Sequence, residues 1–87
     1  MMGICIGTVI AYDSDTRTAE VRLRSDVRRG DRLYITGPRT DLEQRLVRLF
    51  QGGAQAKTAS RGEVVAIPLI GSAQEGDDVF RLLGRTA

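Results

Sequence analysis

Residues 30–37 read Gly30-Asp31-Arg32-Leu33-Tyr34-Ile35-Thr36-Gly37. A Gly-Asp pair is typical of a tight turn, because glycine adopts a positive φ freely and aspartate accepts hydrogen bonds from nearby amides. The next residues alternate, with Leu33 and Ile35 on one side and Arg32 and Tyr34 on the other, as in a strand with one buried face. Gly37-Pro38 then ends the pattern, since proline cannot donate to a β-ladder. These residues predict a turn followed by a short strand.

Similar units recur along the chain. Residues 18–24 alternate most regularly, and residues 4–12 form an apolar, β-branched run that suits a buried strand. Apolar segments also follow glycine in 62–70 and in 76–83. We predict structural turn roles for Gly30, Asp31, Gly37, Gly62, Gly76 and Asp77. The pattern predicts an all-β fold, a small closed Greek-key barrel of about six strands, forming a single β-barrel domain over residues 1–87.

The order and spacing of these motifs resemble the second domain of translational GTPases such as elongation factor Tu. The resemblance rests on Gly7-Thr8-Val9, on residues 30–37 and on residues 59–67, and it extends over about residues 6–82. It implies a free-standing translation factor domain 2-like barrel without the GTPase domain, and therefore a binding module. Similar barrels also occur at the end of some collagenase-like peptidases. The pocket that holds the aminoacylated end of transfer RNA cannot be placed on this chain.

Residues 40–51 fit two different structures. Leu42, Leu46 and Leu49 lie at helical spacing, and Thr40 with Glu43 fits a helix capping box. As a strand the segment alternates less well. The resemblance favours the strand, so we expect residues 40–51 to be β-structure.

The residue types exclude most catalytic chemistry. The chain has no histidine, so neither a Ser-His-Asp set nor a histidine metal site can form. Its single cysteine, Cys5, excludes an internal disulfide. No glycine-rich loop leads into Lys57-Thr58, so no P-loop is present. We therefore expect a non-enzymatic protein with no catalytic residue, no metal, no cofactor and no bound nucleotide.

The charge is unevenly distributed. The net charge is only +2, yet residues 17–48 hold nine arginines against five acidic residues, whereas residues 62–80 hold four acidic residues and no cation. Arginine pairs bidentately with phosphate, and an exposed tyrosine can stack on a base. We place a candidate RNA-binding face on two strands expected to be adjacent and on the loop between them. Its residues are Arg22, Arg24, Arg28, Arg29, Arg32 and Tyr34.

Two function classes stay open at this point. One is an RNA- or ribosome-associated module that acts through the basic face. The other is a protein-interaction barrel that docks on a larger enzyme, such as a collagenase-like peptidase, through an apolar loop rim at Leu49 and Phe50. The basic face is equally compatible with an ordinary solvated surface. The chain starts without a basic signal-peptide region and has no apolar run near the roughly 20 residues of a membrane helix, so we expect a cytoplasmic protein.

Overall fold

A computed structural model describes residues 2–83 of the chain. Strands make up about 62% of the described residues, and no helix occurs among them, which confirms the all-β prediction. In chain order the strands are β1 (Met2–Asp13), β2 (Thr18–Leu23), β3 (Val27–Arg28), β4 (Arg32–Gly37), β5 (Thr40–Arg45), β6 (Leu49–Gln51), β7 (Ala54–Ala56), β8 (Thr58–Ala59), β9 (Val64–Pro68) and β10 (Asp78–Leu83).

Eight of these strands form one antiparallel sheet in the order β5-β4-β10-β1-β2-β9-β6-β7, and β3 pairs with β8 in a separate ribbon. The long strand β1 lies inside the sheet and pairs with β10 on one side and β2 on the other. Its register shifts between Cys5 and Gly7 and again between Val9 and Ala11. Such bulges bend a strand and increase its twist, so they allow β1 to curve with the sheet.

The sheet buries one face around a single apolar core. Leu33 and Ile35 of β4 are buried, as their alternation predicts, and Val79 of β10 pairs with Ile35 in the same layer. The core cluster consists of Ile6, Val9, Ala19, Val21, Leu23, Val27, Leu33, Ile35, Leu46, Leu49, Ala59, Val65, Ile67, Leu69, Ala73 and Val79. The larger strands β1, β2, β4, β9 and β10 all contribute to it, whereas Leu42 of β5 is only partly buried and packs against it.

The prediction of a closed barrel is wrong. β5 and β7 are the two edges of the large sheet, and no strand pairing joins them within residues 2–83. A side chain spans the gap beside β5: Gln44 donates from Nε2 to the Pro68 carbonyl at 3.0 Å and accepts the Ile70 N–H at 2.8 Å. Because Pro68 has no N–H, a backbone ladder between this segment and β5 would lack a donor there. The sheet therefore stays open at this side.

Residues 40–51 form strands β5 and β6, separated by a short loop, so the strand alternative is confirmed. Thr40 is the first residue of a strand and caps no helix. Its hydroxyl donates to the carboxylate of Asp77. The strand count is ten among the described residues and not about six. The additional strands are only two or three residues long, too short to show a period-two pattern.

One turn geometry occurs three times. Gly30, Gly62 and Gly76 have φ values of 97°, 89° and 94°, a region that side chains other than glycine rarely adopt. An acidic residue follows each glycine, and its carboxylate accepts the N–H of the residue three positions earlier. These contacts run from Arg28 N to Asp31 Oδ2 at 3.0 Å, from Ser60 N to Glu63 Oε1 at 2.6 Å and from Gln74 N to Asp77 Oδ2 at 2.8 Å. The turns lead into β4, β9 and β10, respectively.

The hydrogen bonds at the Glu63 turn predict how the Glu63 carboxyl group titrates. The Ser60 N–H, and then the side chain of Gln51, hold the pKa of Glu63 below 4.5, because both donate to the ionised carboxylate. The contribution of these contacts to stability is therefore present above pH 4.5 and is lost as the pH falls through the lowered pKa. Carbon NMR of the carboxyl groups should show a midpoint below 4.5 for Glu63. Gln51→Ala should raise the Glu63 midpoint by only part of the shift, because the Ser60 N–H still donates to the carboxylate. A wild-type midpoint above 4.5 would contradict the turn geometry.

Candidate interaction surfaces

The predicted basic face is not one surface. Arg22 lies on β2, whereas Arg32 and Tyr34 lie on β4, and both β10 and β1 separate these strands. With neighbouring strands about 4.8 Å apart, β2 and β4 are about 14 Å apart along a curving sheet. The expectation of adjacent strands is therefore wrong. It failed because β1 and β10, from opposite ends of the chain, are paired between them.

The remaining basic residues lie around the β3–β8 ribbon. Arg24 follows β2, Arg28 belongs to β3, and Arg29 is in the turn before Gly30. Arg28 lines an open cleft of about 620 Å³ together with Arg81, but Asp26 and Asp31 line the same cleft. The cleft thus offers two guanidinium groups and two carboxylates, and it presents no excess of positive charge to a phosphate.

The β4 pair is also partly engaged within the protein. Arg32 forms an ion pair with Glu43 across the β4–β5 pairing, with Nε and Oε2 3.5 Å apart. Tyr34 is half-buried and pairs with Phe80 on one side and Glu43 on the other. Because Tyr34 is half-buried, only part of it is accessible to a stacking base.

The apolar loop rim expected at Leu49 and Phe50 does not exist. Leu49 is 0% exposed and belongs to the core, while Phe50 is half-buried and pairs with Gln55 and Ala66. The exposed apolar residue of this region is Val47, which lies in the loop between β5 and β6. Val47 and Arg48 are both exposed between the buried Leu46 and Leu49, and this two-residue interval does not fit the period-two alternation of a strand.

Val47 borders a depression that we call the arginine-flanked groove. It has a volume of about 540 Å³ and is lined by Gln44, Arg45, Val47, Arg48 and residues 68–70. Val47 is 66% exposed and Ile70 is 68% exposed, whereas the other exposed large apolar side chains of the described residues reach only 38–44%. The groove lies at the open side of the sheet, beside the bridge that Gln44 makes to Pro68 and Ile70.

Comparisons with known proteins identify the fold. No protein-family model matches the sequence, and no curated protein matches it significantly. A crystal structure of the C-terminal domain of a Geobacillus thermoleovorans protein assigned to the U32 peptidases superposes with a TM-score of 0.85 and 21% identity, over 91% of this chain and 92% of that one. The crystal structure of its selenomethionine variant superposes with a TM-score of 0.84 and 22% identity, over 91% of this chain and 99% of that one. The fold is that of a U32 peptidase C-terminal domain.

The U32 C-terminal fold corrects the resemblance drawn from the motifs. The chain is not a copy of elongation factor domain 2, and neither a translation-factor role nor RNA binding has support from these matches. The physical reason lies in the Gly-acid turns. Each turn is closed by contacts within four residues, so any small β-domain can use it before a strand, and its presence does not distinguish one β-family from another.

Metal coordination has no support in the described part of the chain. No group of three or more Cys, Asp or Glu side chains lies close enough together there to hold a metal ion. Residues 2–83 also contain no helix with the length and apolar character needed to cross a membrane. Interaction surfaces, and above all the arginine-flanked groove, are thus the features of this U32 C-terminal fold that remain to be explained.

Proposed function

We propose that this chain is a non-catalytic accessory domain that docks on a larger enzyme of the collagenase-like U32 peptidase class. The observation that carries the proposal is the structural match, which extends over 91% of this chain and at least 92% of a domain that forms the C-terminal part of such a protein. A match that is nearly complete on both sides supports one shared unit, with residues 1–87 as a single domain.

The chemistry of the described residues supports a binding role. Asp77 is the one buried carboxylate among them, and its Oδ2 already accepts hydrogen bonds from the Thr40 hydroxyl and the Gln74 N–H. The exposed Asp78 beside it points to the other side of the strand, so the two carboxylates do not form an acid–base pair. The described residues therefore support contact with a partner through the surface of the domain.

Binding to a U32 peptidase encoded in the same genome tests the proposal. We expect a one-to-one complex by size-exclusion chromatography with light scattering, and a Kd of about 10 μM or tighter, near −7 kcal/mol, by calorimetry. Nuclease treatment should leave the affinity unchanged. A peptidase of another family from the same genome serves as the control. Absence of any complex with the U32 peptidase at about 100 μM would contradict the accessory role.

A further inference from the structure

The arginine-flanked groove combines features that ordinary surface lacks. Five large apolar side chains are exposed in the described residues, and the two most exposed of them, Val47 and Ile70, line this one groove. They come from different segments, the loop after β5 and the segment after β9. Single exposed apolar residues are normal on protein surfaces, but convergence of the most exposed ones on one concave site indicates a contact surface.

The walls of the groove are held in place. Gln44 bonds to both Pro68 and Ile70 and thereby ties β5 to the opposite wall. Leu69, between them, is buried in the core, and its N–H donates to the Arg17 carbonyl at 2.8 Å. A binding surface whose backbone is already fixed loses little conformational freedom when it is occupied, which favours affinity.

The charge of the groove indicates the chemistry of the segment that would bind there. Arg45 and Arg48 both line it, and no acidic side chain does. The single ion pair among residues 2–83 joins Arg32 to Glu43, so neither groove arginine forms an ion pair within the described residues. The Arg45 guanidinium is further fixed by donating from Nη1 to the Gly30 carbonyl at 2.9 Å. Two arginines without an ion-pair partner beside exposed aliphatic side chains match a ligand that is apolar at its centre and acidic at its flanks.

We propose that the arginine-flanked groove binds a protein segment that presents aliphatic side chains between carboxylates. The aliphatic side chains contact Val47 and Ile70, and the carboxylates pair with Arg45 and Arg48. The inference rests on the proposed function, because it assigns the surface and the chemistry through which the accessory domain would recognise its larger enzyme. The groove volume of about 540 Å³ lies within the roughly 300–1,000 Å³ typical of ligand-binding pockets.

A pair of peptides provides the test. The probes are the hexapeptide Glu-Glu-Ile-Leu-Glu-Glu and its counterpart in which every Glu is replaced by Lys, both blocked at their ends. Titrated into the nitrogen-15-labelled chain, the Glu peptide should shift the amide signals of Val47, Arg48, Leu69 and Ile70 with a Kd of about 1 mM or tighter. The Lys peptide should bind at least about tenfold more weakly, and raising the salt from about 50 to 300 mM should weaken the Glu peptide several-fold.

Single substitutions test whether the Glu peptide binds in the arginine-flanked groove. Ile70→Asp and Arg48→Glu should each weaken the Glu peptide at least about tenfold, whereas Val64→Asp, at an exposed apolar residue of β9 that does not line the groove, should bind like wild type. Ile70 and Arg48 are both exposed, so the spectra of these variants should remain those of the folded domain. Equal binding of the two peptides, shifts confined to another surface, or wild-type affinity of Ile70→Asp would each overturn the proposal, as would no binding at about 5 mM.

The same variants separate the two proposals. If the chain binds the U32 peptidase and Ile70→Asp and Arg48→Glu bind it equally well, the groove assignment is wrong while the accessory role stands. If the Glu peptide occupies the groove but no peptidase complex forms, the groove assignment stands and the accessory role is wrong.

Discussion

Replacing Asp77 by alanine is expected to lower the free energy of unfolding by about 3 kcal/mol, the largest effect of any single side chain outside the apolar core. Asp77 is only 2% exposed, and its carboxylate accepts hydrogen bonds from the buried Thr40 hydroxyl and from the Gln74 N–H. Alanine leaves both donors without this acceptor, and burial keeps water from replacing it at the Thr40 hydroxyl, whereas the Gln74 N–H is only partly buried. The cost of an unsatisfied buried donor is about 1–3 kcal/mol for each group.

Asp77 also connects parts of the sheet that are distant in sequence. Its carbonyl accepts the Val9 N–H of β1 at 2.8 Å, and a Cβ on Gly37, at the end of β4, would collide with its Oδ1. The turn before β10, the β4–β5 hairpin and β1 are therefore packed around one carboxylate. Loss of that carboxylate should loosen all three.

Thermal and urea unfolding measure this effect. For a domain of this size, a loss of 3 kcal/mol corresponds to a drop in Tm of roughly 15 °C. The matched control is Asp78→Ala at the exposed neighbouring position, which should change the free energy of unfolding by less than about 0.5 kcal/mol. Thr40→Val removes one of the two donors and should cost less than Asp77→Ala. Equal stability of the two aspartate variants would show that the buried carboxylate is not what holds these elements together.

Gly7→Ala is expected to lower the free energy of unfolding by about 2–3 kcal/mol, by a different mechanism. Gly7 is buried in β1, where the register shifts, and a Cβ there would lie 2.6 Å from the Arg22 carbonyl oxygen and 2.8 Å from Cγ1 of Val21. Neither atom belongs to a flexible side-chain end. Relief therefore requires β1 and β2 to separate, which strains the centre of the sheet.

The control for Gly7 lies on the same strand. At Gly3 the nearest atoms to an added Cβ are 3.4 Å away, so Gly3→Ala should be close to neutral. Urea denaturation of both variants gives the comparison, and native-state hydrogen exchange should show faster exchange of β1 and β2 amides in Gly7→Ala alone. If Gly7→Ala is as stable as Gly3→Ala, the close approach of β1 and β2 at this point is wrong.

Local pattern was enough to predict the strands that bury one face. Residues 18–24 and 31–36 alternate because one face contacts the core and the other contacts solvent, and they correspond to β2 and β4. The Gly-acid turns were visible for the same reason, since their hydrogen bonds are made within four residues. The prediction of β-structure at residues 40–51 was correct. It rested on the resemblance to elongation factor domain 2, which was wrong.

Features set by partners distant in sequence could not be predicted. Alternation shows which side of a strand is buried but not which strand lies beside it, so Arg22 and Arg32 were expected on adjacent strands. Closure of the sheet depends on whether β5 finds a backbone partner, and Gln44 bonds to Pro68 and Ile70 instead. Leu49 was expected on an exposed rim, but its side chain is buried in a core made by segments distant in sequence.

The position of β1 has a consequence for how the protein is made. Met2 pairs with Leu83 and Thr8 with Asp78, so β1 and β10, the most N-terminal and most C-terminal of the described strands, pair with each other. Before residues 78–83 are synthesised, β1 can pair with β2 but its other edge is exposed, and β4 lacks the neighbour that attaches it to the sheet. Unpaired apolar strands favour aggregation, and long-range pairing slows folding. The nascent chain should therefore need protection until residues 78–83 have been synthesised.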